Sequence, residues 1–220
     1  MKSVSTLCIV TLMALTSFAQ NNASQTNARL ARESTTKSKG MTVGFIYSNL
    51  SESKFKATTK IVSSSGDTET ISIDSNGGTS AGLYGLDVGY KNNYAWGPLG
   101  FNTALAVLKG LNKSELPASL TFIKLQGNVV YPIQDIWSIS SGMNITDITG
   151  QDPSLTPLKY QPWIGGQFGV QADIGPVGIL LGYQTIGVKV TGNGKESGAT
   201  FDVDGEGYTS GIISQVSYTF

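Results

Sequence analysis

The C-terminal stretch G-Y-T-S-G-I-I-S-Q-V-S-Y-T-F, residues 207–220, alternates with a period of two. Tyr208, Ser210, Ile212, Ser214, Val216, Tyr218 and Phe220 form one set; Thr209, Gly211, Ile213, Gln215, Ser217 and Thr219 form the other. Successive side chains of a strand point to opposite faces, so the pattern predicts a strand with one apolar, aromatic face and one small or polar face. The chain ends on an aromatic residue, where soluble domains usually fray into polar ones. A strand that closes a membrane barrel has a reason to end so, because its last ring sits in the interfacial aromatic girdle.

Working back from that strand, similar segments recur at 40–50, 79–91, 95–109, 118–131, 135–146, 162–174 and 177–190. The connections alternate in length. Those at 51–78, 110–117, 147–161 and 191–206 are long; those at 92–94, 132–134 and 175–176 are short. In a meander this puts every long loop on one side and every tight turn on the other, the asymmetry of outer-membrane barrels. The first long loop carries its own signal. Residues 55–63 and 69–75 are rich in Thr, Ile and Val and flank Ser65-Gly66-Asp67, which predicts a hairpin standing above the rim.

The less apolar alternate face decides what the apolar one meets. It is dominated by Gly, Ser, Ala, Asn and Gln, whereas a water-facing sheet carries many Lys, Glu and Arg. Charged residues are 14% of the chain, against about 25% in ordinary globular domains. A narrow interior filled by side chains suits that set, and in lipid only a closed barrel satisfies every strand. The expected fold is all-β, an eight-stranded antiparallel up-and-down transmembrane β-barrel. Its luminal polar cluster is expected to comprise Asp87, Lys124, Gln126, Gln171, Asp173 and Gln184, with Gln167 and Gln215 alongside, and Asp87 or Asp173 paired with Lys124. Tyr90, Tyr94, Trp96, Tyr131, Trp137, Tyr218 and Phe220 fall near the short turns and form one girdle; Tyr47, Trp163 and Tyr183 lie nearer the long loops.

Residues 1–19 read as a secretory signal peptide: Lys2, an apolar core over 4–15, then Ser17-Phe18-Ala19 before the expected cleavage point. Residues 20–39 are too polar to bury a core and read as a flexible periplasmic leader. The barrel then spans 40–220. The only cysteine is Cys8, so the mature chain has no disulfide and no thiolate metal site. The formal net charge of +0 offers no basic field for nucleic acid.

The chain has no histidine, which removes the usual base of a serine nucleophile. No catalytic residue, cofactor or metal ligand is assigned. Asp202, Asp204 and Glu206 are spaced for a weak Ca²⁺ site but do not match an EF-hand, and read as a solvated acidic loop. Gly192-Asn193-Gly194-Lys195 lacks the upstream Gly of a phosphate loop and reads as loop punctuation.

Strand number, loop alternation and the Tyr218-Thr219-Phe220 end make residues 40–220 resemble the small outer-membrane barrels of the OmpA/OmpX type, and more loosely the OmpW type. The resemblance implies residence in the outer membrane of a Gram-negative bacterium. It also implies that Tyr218 and Phe220 serve as the signal read by the barrel-assembly machinery. The expected partners are outer-membrane lipid, that machinery and an extracellular partner met through the long loops. The expected function is non-enzymatic: adhesion, partner contact or envelope integrity. The alternative is a narrow channel for small or apolar solutes.

Overall fold

The computed structural model describes residues 39–97, 99–111, 120–134, 136–150, 159–196 and 199–220. The signal peptide, and the leader up to residue 38, lie outside the described residues. The strands are β1 (Lys39–Val62), β2 (Thr68–Trp96), β3 (Leu99–Gly110), β4 (Thr121–Pro132), β5 (Trp137–Thr149), β6 (Lys159–Gln161), β7 (Trp163–Ile174), β8 (Val177–Glu196) and β9 (Ala199–Thr219).

Each strand of the ring pairs antiparallel with the next, and β9 returns to β1, from Thr42↔Thr219 to Val62↔Thr200. The ring β1-β2-β3-β4-β5-β7-β8-β9 therefore closes as an eight-stranded up-and-down barrel. Closure leaves no unpaired edge within the ring. The short segment β6 continues the line of β7. Pro162, which cannot donate to a ladder, separates the two. Both pair with β8, but the register steps by one residue between them, from Gly166↔Thr185 to Gln161↔Lys189.

The period-two pattern sorts residues as the barrel needs. On β4, Ile123 and Leu125 are exposed while Phe122, Lys124, Gln126 and Asn128 are buried. Leu86, Leu105, Leu125, Met143, Ile164, Phe168, Leu181, Ile212 and Val216 form an exposed apolar belt around the wall. Leu86 is 64% exposed and Leu125 54%. So large a contiguous apolar surface is unstable against water and suits lipid. The chain is a transmembrane β-barrel.

The tight turns are built as their sequences require. Gly97 and Gly175 adopt positive φ of 67° and 61°, a region that costs other residues a steric penalty. The C-terminus is tied down on both sides: Thr219 N donates to the Pro176 carbonyl (2.7 Å) and Phe220 N to that of Met41 (2.9 Å).

Two of the long connections are strand rather than loop. The hairpin expected within 51–78 is present, turning at Ser63–Asp67 with Gly66 at φ 88°. The stretch 191–206 departs from expectation. Gly192-Asn193-Gly194-Lys195 lies within β8, and Asp202, Asp204 and Glu206 lie within β9 rather than in an acidic loop. The physical reason is pairing. Gly192 and Gly194 read as punctuation, but here Gly194 and Gly205 leave room for aromatic rings from neighbouring strands. A Cβ at Gly205 would meet the Phe55 ring at 2.6 Å, and one at Gly194 would collide with Phe201. As a result β8, β9, β1 and β2 run well past the rim as one four-stranded fin.

Candidate functional site

Two places gather the chain's chemistry: the barrel interior and the fin. The interior has two layers. Near the short turns it is polar. Lys91 and Asp173 form an ion pair, and Asp173 also accepts from Asn93 Nδ2 (3.2 Å) and Gln171 Nε2 (2.9 Å). Gln171 Oε1 accepts from Asn102 (3.5 Å), whose Oδ1 accepts from Asn128 (2.6 Å). Higher up, Gln215 Nε2 donates to Asp87 Oδ2 (3.0 Å), and Lys124 Nζ donates to Gln184 Oε1 (3.1 Å). Gln184 Nε2 in turn donates to Ser48 Oγ (2.7 Å).

The six residues named from sequence for this cluster thus fall inside the barrel, distributed over two networks. Asp173, Gln171 and their partners lie on the short-turn side. Asp87, Lys124, Gln126 and Gln184 lie nearer the middle, with Gln126 donating to Gln215 (3.5 Å). The expected direct pairing of Lys124 with Asp87 or Asp173 is replaced. Asp173 takes Lys91, which sequence reasoning passed over because it closes a strand. Lys124, with no exposed surface, reaches Gln184, and the Asp87 charge faces it without direct contact. A buried ammonium needs such compensation.

Above the polar layer the interior is apolar. Ile46, Leu50, Leu83, Leu108, Leu120, Phe122, Ile148, Ile186 and Ile213 pack together toward the long-loop side. This corrects the expectation of an inward face dominated by small and neutral-polar residues. The inward alternation persists along each strand, but its chemistry changes with height: Gln184 gives way to Ile186, and Gln215 to Ile213. The visible signal was there, since Ile46 and Leu83 already fall on the inward parity.

A cavity of about 20 Å³ lies among Thr42, Lys91, Asn102, Gln126, Gln171 and Gln215, room for about one water molecule. Inward glycines let the strands curve. A Cβ at Gly85, Gly142, Gly169, Gly182 or Gly211 would run into backbone of the neighbouring strand, whereas the outward Gly127 faces open space.

The aromatic residues named for the short-turn girdle are grouped at that end. Tyr90 and Trp96 both contact Phe101, at 5.9 and 5.6 Å between ring centroids, and Tyr218 meets Phe220 edge-on at 5.1 Å. Trp137 is exposed and Tyr131 half-buried. The Tyr94 side chain lies outside those described. Toward the long loops Tyr47, Tyr84 and Tyr183 are exposed, Tyr47 and Tyr84 directly opposite in register. Trp163, also at the long-loop end, is half-buried beneath the Lys189 ammonium, 4.9 Å from the ring centroid.

The fin has two unlike faces. On one, Lys56 and Lys60 of β1 stand opposite Glu206 and Asp202 of β9, Lys54 and Asp204 share the same face, and Lys189 of β8 is opposite Glu206. Lys56 pairs with Asp74 at 3.0 Å, and Lys189 reaches Asp204 at 3.9 Å. The three acids thus sit in a charge ladder with lysines. The other face carries Phe55, Ala57, Ile61, Ile71, Ile73, Val190, Phe201 and Val203 and continues into the apolar upper layer of the barrel through Val188 and Tyr160.

No family model matches the chain, and no curated protein does. Among solved structures it is similar to the outer membrane protein OprG from Pseudomonas aeruginosa, with 13% identity over 80% of this chain and 96% of that one, TM-score 0.41. Neisserial surface protein A is 16% identical over 82% and 97%, TM-score 0.37. The outer membrane protease OmpT from Escherichia coli is 8% identical over 81% and 97%, TM-score 0.34. One of these is named a surface protein and another a protease, so the likeness chooses no role.

Proposed function

We propose that the chain is a non-enzymatic outer-membrane barrel whose plugged cylinder holds the fin at the cell surface for adhesion or partner contact. The observation that carries this is the contrast between the two parts. Among the described residues the lumen holds a polar layer, with a cavity of about 20 Å³ in it, under a packed apolar one. The fin, by contrast, extends four paired strands beyond the rim, with a charged face and an apolar face. A rigid, paired sheet presents side chains to a partner without the ordering cost that a floppy loop pays on binding.

Within this reading the aromatic residues at the two ends sit at the membrane interfaces. Tyr218 and Phe220 carry the assembly signal, and the short turns with both barrel ends face the periplasm. The test is retention of cells displaying the chain on solid and cellular surfaces, compared with a variant in which 54–75 is replaced by Asn-Gly. Retention should fall while the heat-dependent electrophoretic shift of a closed barrel persists. Unchanged retention with intact display contradicts the proposal.

The alternative, a narrow path for small or apolar solutes, draws support from one observation. The apolar face of the fin runs without a break into the apolar upper layer. The polar plug beneath it stands against a path through the lumen. In planar bilayers the plugged barrel gives no stable unitary conductance; a stable one favours the channel.

A further inference from the structure

The fin has two edges, and they are built differently. On one, β8 carries Lys189 and Lys195 and is overlaid by β6 from Lys159↔Thr191 to Gln161↔Lys189. Charge and cover are the devices by which proteins keep a sheet edge from pairing with another chain. On the other edge, β2 pairs with β3 only from Leu83 onward. Among the described residues, Thr68 to Gly78 have β1 on one flank and no strand on the other.

This run reads TETISIDSNGG, with neither lysine nor proline. Every residue in it is exposed, Ile71 at 41% and Ile73 at 53%. Its register with β1 is unbroken from Glu52↔Gly78 to Val62↔Thr68, so no bulge turns the edge away. Such an edge holds its main-chain donors and acceptors in the geometry a further strand requires.

Building on the reading of the fin as a contact surface, we propose that this edge takes a second copy of itself, paired antiparallel about Ser72. In that register Ile71 faces Ile73 of the second copy, Thr70 faces Asp74, Glu69 faces Ser75 and Thr68 faces Asn76. Apolar side chains meet each other and no acid meets an acid, the arrangement that cross-strand pairing favours. Neighbouring registers keep one isoleucine pair in place of two. Centring on Ile71 sets Ile73 against Glu69, and centring on Ile73 sets Ile71 against Ser75.

The orientation follows from the topology. In each copy β2 descends from the fin tip to the barrel. Antiparallel pairing therefore places the two barrels at opposite ends of the joined sheet. The two copies sit in facing membranes rather than side by side in one, and the contact joins two surfaces that each display this chain.

The test uses the full chain, in a Cys8→Ser background, reconstituted into two populations of phosphatidylcholine vesicles. Vesicles bearing the protein should cluster only when both populations carry it. Ser72→Cys on both should give a disulfide-linked dimer. Thr70→Cys on one and Asp74→Cys on the other should cross-link, whereas Thr70→Cys on both should not. Ile73→Lys should abolish clustering with the heat-dependent mobility shift unchanged. Absence of clustering, or clustering without the Ser72→Cys dimer, overturns the proposal. If clustering is absent while trimming 54–75 still lowers surface retention, self-pairing falls and the contact-surface reading stands.

Discussion

Lys124 is the residue on which the interior turns. Its ammonium has no exposed surface, donates to Gln184 and faces the Asp87 charge. Removing a buried charge leaves the groups that compensated it, here the Gln184 oxygen and the nearby Asp87, without that compensation. Lys124→Met should therefore lower the temperature of the electrophoretic mobility shift, and Lys124→Met/Asp87→Asn should recover much of the loss. Glycines give a second residue-scale contrast. Gly85→Val drives a side chain into the Val107 carbonyl, while Gly127→Ala meets nothing. The first should fail to yield the heat-modifiable form and the second should match the parent. From sequence, both glycines look alike. Only the inward curvature of the wall, a property of the closed ring, separates them, and the same closure determines that Lys91 rather than Lys124 reaches Asp173.

At the scale of the strand, the alternation was legible because it reflects a single physical demand, lipid on one side and packed side chains on the other. The facing sets on β4 and β5 fall as the pattern predicts. Strand ends were less legible. Residues 191–206 read as loop because glycine and polar residues usually punctuate, and the rings of Phe55 and Phe201 that use those glycines come from elsewhere in the sheet or across the hairpin. Pro162 was likewise placed at the start of a strand, where in fact it divides β6 from β7. An arginine or lysine on the lipid face near the midplane costs roughly 2–4 kcal/mol. Leu125→Arg should therefore lower the unfolding free energy of the bilayer-inserted barrel by about that much in a urea titration. Lys56→Arg, on the water-facing side of the fin, should leave it unchanged.

In the whole molecule the exposed belt faces lipid while the inward set is shut away from it. The eight-stranded closure was readable from the even strand number and alternating connections; the division of the interior into polar and apolar layers was not, because alternation reports direction and not height. The direct measurement is a nitroxide scan along β4, one engineered cysteine at a time in the Cys8→Ser background, with the protein in bilayers. Collision with lipid-dissolved oxygen should be high at Ile123, Leu125 and Val129 and low at Lys124, Gln126 and Asn128. The opposite parity, or no alternation along the strand, would contradict the barrel's placement in lipid and with it the presentation of the fin.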